Sequence, residues 1–62
     1  MEERIVRISE AEQMTGRSRS SLLRDVEAGR FPPLRKLGPK AVGWKISEIL
    51  EWIDQLEVVG HE

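Results

Sequence analysis

The spacing of apolar residues changes repeatedly along the chain and marks out a succession of short elements. Arg4-Ile5-Val6-Arg7-Ile8 alternates weakly and is rich in β-branched residues, which predicts a short strand or extended lead-in. Ser9-Glu10-Ala11-Glu12 then has the form of a capping box, with Ser9 as N-cap and Glu12 reaching back to the N-cap amide. The helix it opens should run to about Thr15 and stop at Gly16, which tolerates a left-handed conformation. Only Gly16-Arg17-Ser18 precedes the next helix, for which Ser18 is the N-cap and Arg19 to Ala28 contain no breaker before Gly29. Two short helices joined by a tight, glycine-containing turn predict a helix-turn-helix.

Within the second helix, Leu22, Leu23 and Val26 share one stripe, and Ser20, Ser21 and Arg24 lie opposite. Phe31-Pro32-Pro33 cannot continue the helix, because proline lacks the amide donor and biases its predecessor to extended backbone. Two short runs follow, Leu34 to Leu37 and Ala41 to Ile46, around Gly38-Pro39-Lys40. Val42, Trp44 and Ile46 alternate with Gly43 and Lys45, which predicts a half-buried hairpin with a basic tip and a basic outer face. Ser47 should cap a last helix from Glu48 to about Val58, with Ile49, Leu50, Trp52, Ile53 and Leu56 on its apolar face. Glu48, Glu51 and Asp54 fall on the other side, and residues 59–62 should fray. Trp44, Trp52 and Phe31 lie on apolar faces and are expected in the core rather than as stacking platforms for single strands. The fold expected is small α+β: residues 1–62 as one winged helix-turn-helix domain, with a two-stranded wing and a C-terminal helix.

Charge changes the picture more than composition does. The net charge of −1 argues against a nucleic-acid partner until its distribution is read. Residues 1–16 carry −2 and residues 46–62 carry −5, the latter without any lysine or arginine. Between them lie Arg17, Arg19, Arg24, Arg30, Arg35, Lys36, Lys40 and Lys45 against Asp25 and Glu27, a block of +6. A basic block between acidic ones is the electrostatic footprint of a phosphate-binding face. The acidic last helix should turn away from that face.

Several function classes find no support. There is no cysteine, and the single His61 cannot by itself form a metal site or a catalytic dyad. The serines have no neighbouring base and there is no glycine-rich phosphate loop, so neither an enzyme nor a cofactor is expected. No signal peptide or membrane span is evident, and a cytoplasmic protein is the expectation.

The segments Thr15-Gly16-Arg17-Ser18-Arg19-Ser20-Ser21, Glu27-Ala28-Gly29-Arg30-Phe31-Pro32-Pro33, Lys36-Leu37-Gly38-Pro39-Lys40-Ala41-Val42-Gly43-Trp44 and Ser47-Glu48-Ile49-Leu50-Glu51-Trp52-Ile53 resemble those of the AlpA-type prophage regulators. These are small relatives of phage excisionases with a MerR-like winged helix, and the resemblance covers nearly the whole chain. It implies a DNA-binding regulator or architectural factor of a mobile element, one that activates an integrase gene or bends attachment-site DNA toward excision. It implies that the positions of Ser20 and Arg24 face bases and that Lys40 approaches a minor groove. Leu23 departs from the pattern, since an aromatic that contacts phosphate is common there.

The residues expected to meet duplex DNA are Arg17, Ser18, Arg19, Ser20, Ser21, Arg24, Lys36, Lys40 and Lys45. Arg24 is the first choice for base readout, because a guanidinium pairs with guanine O6 and N7. Arg17, Lys36 and Lys45 should position the backbone without carrying sequence information. An integrase or recombinase is a further partner to expect, as is cooperative self-association on DNA, since one such domain covers little of a site. The competing reading is a protein-interaction module that docks on an integrase or polymerase through its acidic last helix.

Overall fold

The computed structural model describes residues 3–60; His61 and the end of the expected frayed tail lie outside them. The elements run β1 (Ile5–Val6), α1 (Ile8–Thr15), α2 (Arg19–Ala28), β2 (Arg35–Gly38), β3 (Ala41–Lys45) and α3 (Ile46–Asp54). This is a small α+β fold of three helices and a three-stranded antiparallel sheet, compatible with a winged helix-turn-helix. The wing is more than the expected hairpin. β1 pairs with the free edge of β3, giving the order β1-β3-β2, with Ile5 opposite Lys45 and Val6 opposite Trp44.

That added strand explains Gly43. A Cβ there would sit 2.7 Å from Ile5 Cγ2 and 2.8 Å from the Val6 carbonyl oxygen, so β1 can lie against β3 only where no side chain intervenes.

Paired strands put opposed residues on the same face, and successive residues on opposite faces. Val6 and Trp44 therefore share the inner face, where both are fully buried. They meet Ile8 and Ala11 of α1, Leu22 of α2, Phe31 of the following loop and Ile49 of α3, which together form the core. The Phe31 ring meets Trp44 at 5.2 Å and Trp52 at 4.8 Å, both edge-on. Each indole N–H donates to the loop holding Phe31: Trp44 to the Pro32 carbonyl at 2.7 Å and Trp52 to the Arg30 carbonyl at 2.8 Å. Aromatic area and two directed hydrogen bonds thus fix the proline-containing passage from α2 to the wing.

Two helix starts differ from expectation for one reason. α1 begins at Ile8 with Arg7 as N-cap, and α3 begins at Ile46 with Lys45 as N-cap, so Ser9 and Ser47 are each one residue inside the helix. Neither N-cap side chain makes a capping hydrogen bond, and the Ser9–Glu12 capping box does not form. In both cases a short sheet strand lies immediately upstream, which holds the preceding residue extended and leaves no room for a separate cap. At α3 the carboxylate of Glu3 supplies the missing acceptor, taking the Ser47 amide at 3.1 Å and its hydroxyl at 2.8 Å. By contrast, Ser18 caps α2 as expected, accepting from the Ser21 amide at 3.2 Å. Gly16 and Gly29 end α1 and α2 with φ of 73° and 79°, the left-handed region that glycine enters without a Cβ clash.

α3 stops at Asp54 rather than near Val58. Ile49 is buried and Trp52 and Ile53 pack on the core, but Leu50 and Leu56 are exposed, so a further turn would have no surface to cover.

Candidate nucleic-acid interface

The helix-turn-helix is held by one buried acid. Asp25 is 5% exposed, and its carboxylate meets Arg17 of the turn at 2.6 Å and Arg30 beyond the helix at 3.2 Å. The Arg30 amide also donates to the Asp25 carbonyl, at 2.8 Å. A single residue midway along α2 therefore ties the turn before the helix to the loop after it. On the other side of the turn, Thr15 donates its hydroxyl to the Ala11 carbonyl at 2.8 Å and accepts the Arg17 amide at 3.3 Å.

What remains outward on α2 is Arg19, Ser20, Arg24 and Glu27, all exposed, with half-buried Leu23 and Val26 beside them. Ser20, Leu23, Arg24, Val26 and Glu27 line one shallow groove with Leu34. Ser18 and Ser21 are engaged with each other, the Ser18 hydroxyl donating to that of Ser21 at 3.1 Å, so their first duty is capping. The acid Glu27 lies at the C-terminal end of this face, which leaves the stretch from Arg19 to Arg24 as the cationic part.

Faces of the wing sort its charges. Arg35 lies opposite Gly43, on the outer side shared with Lys45 and Ile5. There Arg35 grips Glu48 through two hydrogen bonds of 3.2 and 2.7 Å, and Lys45 approaches Glu3 at 3.7 Å. The hydrogen bonds and charge of Arg35 hold the Glu48 carboxyl below its ordinary value, and the side-chain and backbone hydrogen bonds of Ser47, with the charge of Lys45 nearby, do the same for Glu3. Hence the outer side, expected to be basic, is neutralised by acids from β1's approach and from α3. Lys36 lies opposite Val42 and shares its inner side, toward the helices. Lys40 is exposed at the tip.

Ion pairing divides the ten lysines and arginines into two equal sets. Arg4, Arg17, Arg30, Arg35 and Lys45 each hold a carboxylate. Among the described residues, Arg7, Arg19, Arg24, Lys36 and Lys40 have no ion-pair partner. Within the second set, Arg7, Arg19 and Lys40 line one groove with Val42 and Lys36 stands opposite Val42, while Arg24 lines a separate groove on α2 with Ser20. Of the residues expected to contact nucleic acid, Arg19, Lys36 and Lys40 thus gather around Val42 and Ser20 lies with Arg24 on α2, while Arg17 and Lys45 are held in ion pairs within the chain. Arg7 joins the face unannounced. Its signal in the sequence was lost because it lies in a segment of net negative charge; only the pairing of β1 with β3 brings it beside the wing.

The chain's acidic helix carries Glu48, Glu51 and Asp54, and Glu48 faces the wing's outer side through Arg35. Among the described residues no group of His, Cys, Asp and Glu is arranged to hold a metal ion, and no helix is long and apolar enough to cross a membrane.

Comparison with known proteins adds a family. The family described as prophage CP4-57 regulatory protein (AlpA) matches over residues 4–58. An uncharacterized protein, ORF88 of Enterobacteria phage P4, is 38% identical over 52 residues, covering 84% of this chain. The chain spans 59% of that relative's length. No solved structure matches.

Proposed function

The chain belongs to the AlpA family of prophage regulatory proteins, and from that premise we propose that residues 1–62 act as one duplex-DNA-binding domain, a non-enzymatic regulator or excisionase-like architectural factor. The observation that carries this reading is that Arg7, Arg19, Arg24, Lys36 and Lys40 have no acid partner among the described residues while each of the other cations has one, with Arg7, Arg19 and Lys40 sharing one groove. Cations left without internal partners on one face are matched by the regular negative charge of a duplex backbone. α2 enters the major groove by the face that carries Ser20 and Arg24, where Arg24 reads guanine and Ser20 lies beside it. The wing tip with Lys40 lies on the backbone or minor groove, Lys36 holds a phosphate, and α3 faces away with its acids.

Leu23 sits half-buried against the core beside Ser20 and Arg24, so base readout in this groove rests mainly on Arg24. So small a footprint favours cooperative binding of several copies, or joint binding with a recombinase, in the cytoplasm where such DNA resides.

Selection of bound sequences from a random duplex pool tests the reading. Wild-type protein should enrich a short motif containing guanine, and Arg24→Ala should retain binding while losing most of that preference. Failure of the wild type to bind any duplex at low salt would overturn it.

A further inference from the structure

Three cations from three separate parts of the chain converge on one groove. Arg7 comes from the junction of β1 and α1, Arg19 from the first turn of α2, and Lys40 from the wing tip; Ile8, Ser9 and Val42 complete the lining. Among the described residues no acid lines this groove. The carboxylate nearest in sequence, Glu10, is drawn off by Arg4, whose guanidinium contacts both of its oxygens at 3.2 and 2.7 Å. α1 also starts here, with no side-chain cap at its N-terminus.

Like charges gathered without a counter-charge repel one another, and the fold holds them together through the sheet and the helix-turn-helix rather than through their own attraction. A concave site of this kind is relieved by an anion small enough to enter between the three side chains. A tetrahedral phosphodiester group fits that description, with oxygens to divide among a guanidinium from each helix start and an ammonium from the wing.

We propose that this groove seats a single backbone phosphate of the bound duplex, and that Arg7 is a binding residue of the seat. The inference rests on the DNA-binding reading above and deepens it: the wing tip is assigned to the backbone, clamped against the start of both helices. The seat fixes the angle at which α2 meets the major groove, since one phosphate then touches α1, α2 and the wing together.

The test uses the full chain and a duplex carrying a selected site, with binding followed by fluorescence anisotropy across a salt series. Arg7→Gln and, separately, Lys40→Gln should weaken binding and reduce the slope of log K against log salt by up to about 0.9, the share of one phosphate. Circular dichroism of each variant checks that the fold is kept, and two variants from distant parts of the chain guard against either failing to fold. Duplexes in which one phosphate at a time is replaced by an uncharged methylphosphonate then locate the contact. One and the same position should abolish the effect of both substitutions. An unchanged slope in Arg7→Gln, with Arg24→Ala still altering sequence preference, overturns the seat and leaves the DNA-binding reading standing. Losses that no single methylphosphonate position abolishes also overturn it, since they mean diffuse attraction. If the wild-type protein binds no duplex, both inferences fall.

Discussion

Asp25 and Arg17 meet at 2.6 Å, and this pair sets the geometry of the helix-turn-helix. In the sequence Arg17 looks like a phosphate contact in an exposed turn. In the fold its guanidinium folds back on a carboxylate that is almost fully buried, and Arg30 closes on the same group from the far end of α2. The pair therefore works on function indirectly, by fixing where Arg19, Ser20 and Arg24 point.

Replacing Asp25 with alanine should destabilise the protein by about 1–3 kcal/mol, the range for losing charge-assisted hydrogen bonds at a buried site. The loss stays below that of a fully buried ion pair because both arginines reach solvent once released. Urea unfolding measures it, and a double-mutant cycle with Arg17→Ala should show coupling between the two changes.

Gly43→Ala should destabilise by about 1–3 kcal/mol, because the added methyl meets the Val6 backbone as well as a side chain and β1 must move. Amide hydrogen exchange should speed up at β1 and at Lys45 and Ile46, where the Ile46 amide donates to the Arg4 carbonyl at 2.8 Å.

Acid should weaken the fold through three carboxylates. Glu3, Glu10 and Glu48 are all held below the ordinary value of 4.5, chiefly by hydrogen bonds from Ser47, Arg4 and Arg35 respectively. A lowered folded-state pKa means that the unfolded chain binds more protons on the acid side. The stabilisation is complete above 4.5 and is lost as pH falls from there through the lowered folded values. Thermal unfolding followed from neutral pH downward should show Tm declining in this window. Glu48→Gln should begin from a lower Tm and decline less steeply.

Most of the chain's architecture is legible in its pattern. The helix-turn-helix follows from Gly16, Ser18 and Gly29, and the hairpin from the turn around Pro39. The core positions Leu22, Phe31, Trp44 and Ile49 follow from periodicity. Features that depend on distant residues are not legible. Ser9 and Ser47 carry the local signature of N-caps, but the pairing of β1 with β3 starts each helix one residue earlier, and Glu3 caps α3 from 44 residues away. The candidate interface divides in the same way. Arg19, Ser20 and Arg24 follow from the helical wheel, whereas the capture of Arg17 and Lys45 by acids, and the arrival of Arg7 beside Lys40, depend on which strand edges meet.

The division of the cations offers the most direct measurement of whether the face built on α2 and the wing is the one that binds DNA. Duplex affinity is measured against salt for Arg24→Gln, Lys36→Gln and Lys40→Gln on the unpaired face, and for Arg35→Gln and Lys45→Gln on the paired one. Each removes one positive charge, so the net charge changes alike in all five variants. The predicted result is that Lys36→Gln and Lys40→Gln lose affinity and up to about one phosphate's worth of salt slope, that Arg24→Gln loses affinity for a selected site with the slope nearly kept, and that the last two bind nearly as the wild type does. Equal losses across both sets would contradict it.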